Sequence, residues 1–349
     1  MTAWGLPDFD DHEGVHLFTD PASGLKAVIA VHSTVRGPAA GGVRFWYYGD
    51  EGQALTDALR LSRGMSYKNA MAGLDLGGGK GVVLADAPGA TISEAQLRAF
   101  GRAVESLGGR YVTAEDVGMS EARMKVIAEE TRHVSGLPVA SGAAGGDPGP
   151  YTAHGVYLGV KAAARRGLGA SDMKGVRVAI QGVGSVGGGL ARLLAKDGAV
   201  LTLADVNAAR AEALADELGA TTLPADAILT ADVDLVSPNA LGAILTAESI
   251  QALKARVVAG GANNQLATRE DGQRVHDAGI LYAPDYVINA GGIINVGLEY
   301  LGRGDEAEVM QRIAQIPDRL VEVWDESAAS GDPASEVADR LARTLIGRG

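Results

Sequence analysis

The sequence predicts an α/β protein of two domains, the second built on a doubly wound parallel sheet. Three observations lead there. The chain has 349 residues, enough for two domains of about 100–200 residues each. Strand-like and helix-like segments alternate from Val176 to Ala259, and such alternation builds a parallel sheet covered on both faces. Between the halves lies the stretch 141–150, nearly all small residues, Gly and Pro, which holds no regular element. It reads as a linker at a domain boundary, or as a long surface loop within one domain.

The first half is mixed α and β. Lys26 to His32 is a short apolar run rich in β-formers, and reads as a strand. In Gln53 to Met65, the residues Leu55, Ala58, Leu59 and Leu61 recur at helical spacing. Gly81 to Ala85 reads as another strand. Ser93 and Gln96 form a capping box that opens a helix through Phe100 and Val104. Tyr111 to Thr113 is a strand running into Ala114-Glu115-Asp116. After the linker come a helix at Tyr151 to Arg166, a strand at Val176 to Gln181 and a helix at Ser185 to Lys196. A strand at Leu201 to Asp205, a helix at Ala208 to Leu218 and a strand at Val233 to Val236 follow. Then come a helix at Ala247 to Leu253 and a strand at Val257 to Ala259. From Asp305 the tail is helical by period, through Val309, Ile313, Ile316, Leu320 and Val323.

Composition narrows the function. Hydrophobic residues at 46% and charged residues at 21% are ordinary for a soluble globular chain. The formal net charge is −12 and no Lys/Arg run occurs, so a nucleic-acid partner is not expected. An anionic substrate would need a local cationic site. With no cysteine, disulfides, thiolate catalysis and Cys-based zinc sites are excluded together, which fits a reducing cytoplasm. Met1 to Gly14 holds Asp8, Asp10, Asp11 and Glu13 without a basic, apolar leader pattern, so no signal peptide is expected. No membrane helix is expected either, since no run of 18 apolar residues exists. The six His form no ligand pair such as HExxH, and no metal is expected.

Gly182-Val183-Gly184-Ser185-Val186-Gly187 follows a predicted strand and opens a predicted helix. That context turns a weak G-x-G-x-x-G match into a Rossmann-type dinucleotide fingerprint. Gly182 would make the tight turn, Gly184 would let the backbone approach a pyrophosphate, and Gly187 would allow close helix–strand packing. The helix N-terminus, from Ser185 and Val186, offers unpaired N–H groups to the phosphates. Asp205 ends the next strand, where a carboxylate hydrogen-bonds an adenosine ribose and repels a 2′-phosphate. NAD is therefore the expected cofactor, with some NADP use left open by the nearby Arg210. A P-loop fails because Leu74 stands where its first Gly belongs and Gly81 replaces the Ser/Thr. Ser185 lacks the glycine that a nucleophile elbow requires.

Two lysines stand out. Lys68 lies in an apolar stretch with Met65, Tyr67, Ala70 and Met71, and Lys80 follows the run Gly77-Gly78-Gly79. Those glycines would expose backbone and let another molecule come close. Two neighbouring, partly desolvated ammonium groups would push one pKa toward neutrality. The neutral lysine could then serve as a general base, and its charged partner could hold a carboxylate. Asp116 on its own reads as a cap or turn residue.

Taken together, these segments resemble the Glu/Leu/Phe/Val amino-acid dehydrogenase superfamily, nearest its leucine branch and next its phenylalanine branch. The likeness runs along nearly the whole chain. It is carried by Gly37-Pro38-Ala39-Ala40-Gly41-Gly42-Val43-Arg44, by Gly64 to Lys80, by Thr113 to Gly118, by the glycine fingerprint and by Pro284 to Gly292. The resemblance implies an N-terminal α/β substrate and oligomerisation domain and a Rossmann-type NAD-binding domain, with a cleft between them whose closure would exclude water. It implies boundaries of 1–146, joined by a C-terminal helix at about 325–349, and 147–324. Lys68 would bind the substrate α-carboxylate, Lys80 would be the catalytic base, and Asp116 would shuttle protons at the amino group. Asn264 would hold the substrate near the nicotinamide and also touch the cofactor, with Thr152, Asn239 and Asn289 on the cofactor's side. Asn263 departs from a Leu often found there in the leucine branch. At least a dimer is expected.

The implied reaction is NAD-dependent, reversible oxidative deamination of an L-amino acid to a 2-oxo acid and ammonia. In the glutamate branch a cation at the position of Ala40 binds the side-chain carboxylate. With Ala40 there, a glutamate side chain would be buried unpaired, which is costly. The side-chain pocket would be Ala40, Gly41, Met65, Ala114, Ile293 and Val296, small or apolar throughout. Branched-chain substrates such as leucine and valine are favoured, although Ala40 leaves room for an aromatic ring. Ile293 and Val296 also read as plain core. A non-catalytic NAD-binding paralogue and a hydroxy-acid dehydrogenase are the competing readings, and the latter lacks a well-placed His base.

Overall fold

The computed structural model describes residues 3–6, 8–137, 143–240 and 242–349. The chain divides into two compact units. One is Met1–Asp147 with Ile293–Val309 and Ala342–Gly349; the other is Pro148–Gly292 with Met310–Leu341.

The first unit is built on strands β1 (Gly14–Asp20), β2 (Leu25–Ser33), β3 (Ala39–Ala40) and β4 (Val43–Trp46), helix α1 (Glu51–Met71) and strand β5 (Gly77–Leu84). Helix α2 (Glu94–Ser106), strand β6 (Tyr111–Val112) and helix α3 (Glu121–Ala128) complete it. The sheet runs β1-β2-β5-β3-β6, with β4 also on β5. The β1–β2 and β2–β5 pairs are antiparallel, and β3 and β4 pair with β5 in parallel. β5 changes partner along its length, from β3 at Gly77 and Gly78 to β4 from Gly81 onward. Lys80 therefore lies opposite the Gly41-Gly42 break between the two short strands.

Side chains alternate between faces along a strand, and this sheet uses both. Leu25, Ala27, Ile29, Val31, Val43, Phe45 and Val83 pack with Phe100, Val104, Met124 and Ile127 of α2 and α3. Val28, Ala30 and Val82 pack with Ala54, Ala58 and Leu59 of α1. By the same alternation Lys80 and Arg44 belong to the α1 face. The capping box at Ser93 and Gln96 starts α2 as predicted. α1 outruns its predicted span at both ends, so Lys68 falls in its last turn.

The glycines before Lys80 correct one expectation. They lie inside β5, and they serve packing within the protein. A Cβ at Gly78 would overlap the backbone nitrogen of Ser66 in α1, and one at Gly79 would come within 2.7 Å of the Tyr111 ring. Gly77-Gly78-Gly79 thus lets a helix and an aromatic ring close on the strand from opposite faces. The chain end is also tied in. Arg348 donates through Nη1 to the Asp10 carbonyl (2.6 Å) and through Nη2 to the His32 carbonyl (2.8 Å), and its Nη1 lies 2.7 Å from His32 Nε2. Burial, then Arg348 and His12, lower the His32 pKa to about 3. The ring is neutral; its Nδ1 lies 2.7 Å from Ser66 Oγ and its Nε2 3.2 Å from Asp10 Oδ2.

The second unit begins with α4 (Gly149–Leu168). It continues through β7 (Arg177–Gln181), α5 (Ser185–Lys196), β8 (Val200–Ala204), α6 (Ala208–Leu218), β9 (Thr221–Thr222), β10 (Leu235–Pro238), α7 (Ala247–Ala252) and β11 (Val257–Val258). Next come α8 (Arg269–Asp277), β12 (Leu281–Tyr282) and α9 (Asp285–Ile288). Its sheet order is β12-β11-β10-β7-β8-β9, every pair parallel. The order reverses at β7, and α/β sheets of this kind bind ligands at such a switch point. α10 (Gly291–Tyr300) then leads into the first unit, and α11 (Glu306–Ile313), α12 (Ile316–Ser330) and α13 (Ala334–Leu345) follow.

Further differences from expectation have local causes. The tail helix is broken between Ile313 and Ile316, where Pro317 sits in the first turn of α12. Most of the segment assigned by sequence to the first domain from about 325 lies in the second unit. There α12 is tied to β12 by Trp324 Nε1 donating to the Tyr282 carbonyl (2.8 Å). The first two residues of the predicted linker, Ser141 and Gly142, lie outside the described residues. Its later part is held down, since Asn295 exchanges two hydrogen bonds of 2.8 Å with the backbone of Gly145, and Gly149 already begins α4.

Candidate active site

Lys80 is 5% exposed. Its Nζ donates to Asp116 Oδ2 at 2.8 Å. The same oxygen accepts from Arg44 Nε at 2.9 Å, and Arg44 Nη1 reaches Asp57 Oδ2 at 2.8 Å. Asp57, on α1, also accepts from Tyr48 Oη (2.7 Å) and from Arg60 Nη2 (2.9 Å). The backbone places Asp116 through β4, where Val43 N–H donates to the Ala114 carbonyl (2.8 Å) and Phe45 N–H to the Val117 carbonyl (2.9 Å). Gly42 leaves the space, since a Cβ there would lie 2.9 Å from that of Asp116.

The electrostatics follow from this packing. Burial lowers the Lys80 pKa below its ordinary 10.5; Asp116 opposes that and Arg44 adds to it. Burial would raise Asp116, but Lys80 and Arg44 outweigh it and hold the carboxyl below its usual range. The sequence assigned the second cation near Lys80 to Lys68. The cation that shares the Asp116 oxygen with it is Arg44, one of the residues of the Gly37–Arg44 motif.

The pocket residues expected from sequence come together in part within the first unit. Gly41 approaches Met65, whose Cγ would be 3.1 Å from a Cβ at Gly41. Ala40 and Ile293 belong to one apolar cluster with Leu74, Leu76 and Val112. Val296 is buried, while Ala114 and Lys68 are half-buried.

In the second unit the glycine loop divides its work as the fingerprint requires. Gly182 has φ +83° and its N–H donates to the Ala204 carbonyl (2.7 Å). A Cβ at Gly187 would overlap the Gly182 carbonyl oxygen, whereas one at Gly184 would meet nothing within 4 Å. Gly184 is the N-cap of α5, and Ser185 and Val186 form its first turn. Asp205 lies across the loop. Its Oδ2 accepts from Val183 N–H and its Oδ1 from Asn207 N–H, both at 2.9 Å. Arg210 Nη1 stands 3.7 Å from that Oδ2.

Amides cluster beside this loop. Asn239 Oδ1 accepts from Gly261 N–H (2.9 Å), and Asn289 Nδ2 donates to the Gly261 carbonyl (3.2 Å) and to Asn263 Oδ1 (2.7 Å). Asn263, whose effect the sequence left open, thus supports Asn289. Asn264 is exposed at φ +51°, a left-handed conformation that Asn tolerates. Thr152 lies in the first turn of α4, where its Oγ1 donates to the Pro148 carbonyl (2.9 Å). Gly292 packs against that hydroxyl. Among the described residues the buried Oδ1 of Asn289 has no hydrogen-bond partner, which is suited to a donor such as a carboxamide N–H. With the open flank at Gly184, these residues fit a dinucleotide.

Residues 12–133 match the family described as Glu/Leu/Phe/Val dehydrogenase, dimerisation domain, and residues 203–342 match Glutamate/Leucine/Phenylalanine/Valine dehydrogenase. The chain belongs to the Glu/Leu/Phe/Val dehydrogenase family. It is 47% identical over 336 residues to a leucine dehydrogenase of Thermoactinomyces intermedius, covering 96% of this chain and 91% of that one. It is 46% identical to a valine dehydrogenase of Streptomyces virginiae, covering 96% and 94%. An L-tryptophan dehydrogenase structure from Nostoc punctiforme superposes with a TM-score of 0.85 at 39% identity, covering 96% of each chain.

As a Glu/Leu/Phe/Val dehydrogenase the protein is an amino-acid dehydrogenase, and its ion-pair cluster includes members that sequence reasoning passed over. Arg44 stands in the Gly37–Arg44 motif with no implied role of its own, and Asp57 and Tyr48 lie in no motif. A signal existed: Val43-Arg44-Phe45 and Gly79-Lys80-Gly81 each put one cation between residues of the opposite face. No helix among the described residues is long and apolar enough to cross a membrane.

Proposed function

We propose that the protein catalyses NAD-dependent, reversible oxidative deamination of an apolar L-amino acid, with leucine and valine favoured, to the 2-oxo acid, ammonia and NADH. The observation that carries the reading is Lys80. It is buried, its pKa is lowered, and it is paired with Asp116 in the unit that also gathers Ala40, Met65 and Ile293. The leucine and valine dehydrogenase relatives support the branched-chain preference.

Residues of the second unit would hold the cofactor: the Gly182–Gly187 loop, Asp205, Asn239, Asn289 and Thr152. NAD, when bound, supplies the acceptor for the hydride from the substrate Cα. Lys68 would hold the α-carboxylate. Neutral Lys80 would take a proton from water as its oxygen attacks the imine carbon. Asp116, having taken a proton from the substrate ammonium before the Cα–H bond breaks, would return it to the amino nitrogen; the C–N bond then breaks as the hydroxyl proton passes to solvent, giving ammonia and the carbonyl. Run backwards, the same transfers give reductive amination. A side-chain carboxylate would meet no cation at Ala40, which sits among Leu74, Leu76, Val112 and Ile293, so glutamate is disfavoured.

A second reading is an aromatic substrate. The small Ala40 and the likeness to a tryptophan dehydrogenase favour it, and apolar pockets separate homologues by only about 1–3 kcal/mol per methylene. A homo-oligomer fits the match to a dimerisation domain. The test is reduction of NAD and of NADP with Leu, Val, Ile, Met, Phe, Trp and Glu at alkaline pH. Turnover of Leu or Val with NAD is expected, with Glu silent. Preference for Phe or Trp would move the protein to the aromatic reading, and silence across the panel with NAD still bound would mark a non-catalytic paralogue.

A further inference from the structure

We propose that Arg44 is a positioning residue for the deamination: by bridging Asp57 to Asp116 it fixes which carboxylate oxygen meets Lys80 and leaves the other for the substrate's amino group. The proposal rests on the deaminase reading above and adds a residue which that reading does not use.

The geometry is specific. Arg44 turns Nε toward Asp116 and Nη1 toward Asp57, at 2.9 and 2.8 Å. A guanidinium presents donors along two directions in one rigid plane, which a lysine cannot do. Its far partner does not move freely, because Asp57 is held by Tyr48 and Arg60 as well. Both cations on Asp116 use Oδ2, and Oδ1 accepts no hydrogen bond among the described residues. The backbone of the Asp116 loop is already fixed by β4 and by Gly42. What remains to be set is the rotation of the carboxylate, and that is where Arg44 acts.

Arg44 also sets the charge around the base. Among the groups facing Lys80 are Asp116 from the loop after β6, Arg44 from β4 and Asp57 from α1. Arg44 disfavours the protonated lysine, while the two carboxylates favour it. The two flanking substitutions therefore have opposite signs. Losing the Arg44 cation raises the pKa of Lys80, and losing the Asp57 anion lowers it.

The test is the pH profile of kcat for amino-acid oxidation in wild type, Arg44→Gln, Arg44→Lys and Asp57→Asn, with thermal melts to establish folding. In Arg44→Gln, kcat is expected to fall about 10–100-fold with KM changed less than about threefold, since the loss falls on proton transfer and not on uniform binding. Its acid limb moves to higher pH. In Asp57→Asn kcat also falls, but the acid limb moves to lower pH. Arg44→Lys returns the limb toward wild type and recovers kcat only in part, because the charge is restored without the bridge. A general loosening of the site would move both limbs the same way and would not be rescued by lysine; either result overturns the proposal. If Arg44→Gln does not fold, the Asp57→Asn and Arg44→Lys profiles decide. An active wild type with an unchanged folded Arg44→Gln overturns the Arg44 role alone. A wild type silent on every amino acid overturns the deaminase reading and this proposal with it.

Discussion

Lys80 can be removed without stranding a charge, and this makes it a clean residue to test. In Lys80→Ala, Asp116 keeps its 2.9 Å bond to Arg44, so no buried carboxylate is left unpaired. The fold and NAD binding should survive, while turnover falls by about 10²–10⁴-fold for loss of a general base. Melting temperature, NAD titration and kcat measured on one preparation check this, and full activity would remove Lys80 from the mechanism. At this scale the sequence went far but stopped short. Lys80 and Asp116 were legible through the family resemblance. Arg44 was not, because an arginine beside two glycines and a valine has no motif of its own. Its meaning comes from β4 pairing in parallel beside β5, so that residues 36 positions apart in sequence share one face. Asn263 is similar, since its role lies in an amide, Asn289, that chain order places 26 residues away.

At the scale of elements, two glycine-rich stretches look alike in sequence and do different work. Gly77-Gly78-Gly79 is strand interior, closed on both faces by the protein itself, while the glycine loop before α5 has one open flank. The second is legible as a strand-to-helix turn, because β7, the glycines and α5 stand in order. The first is misread from sequence, because nothing local says that α1 will lie directly on β5. The contrast inside the loop can be measured. Gly184→Ala adds a methyl to open space at an ordinary φ of −71°, so the melting temperature should stay close to wild type. The same methyl stands where a pyrophosphate would approach, so NAD binding should weaken by tenfold or more, or about 1.4 kcal/mol. Gly187→Ala pushes into the Gly182 carbonyl and should cost about 1–3 kcal/mol of stability, as overpacking does. Thermal melts and NAD titrations of both variants check the pair. Unchanged NAD affinity in Gly184→Ala would remove the loop from the cofactor site.

For the whole molecule, the parallel sheet was legible from alternation, and the mixed sheet was not. Its short strands β3, with two residues, and β4, with four, leave too little periodicity to read, and the half-exposed pattern of β1 hides that strand, whereas β6 falls within the strand expected at Tyr111 to Thr113. The division of labour between the units has its own consequence. Each unit has a separate core and a separate set of candidate residues, so each ligand should leave a local mark. A ligand that binds the folded state stabilises it by about 2.7 kcal/mol at a hundredfold excess over its Kd, and the amides that it orders exchange more slowly. NAD alone should therefore slow hydrogen exchange at Val183–Val186, at Asn207 beside the Asp205 carboxylate, and at Gly261, which Asn239 and Asn289 brace. A 2-oxo acid alone should slow exchange in the last turn of α1 at Lys68, around Lys80 in β5 and in the Asp116 loop. Peptide-resolved exchange with each ligand separately measures both patterns. NAD protection at Lys68 and Lys80 with none in the glycine loop would contradict the assignment of the cofactor to the second unit, whatever the enzyme's turnover.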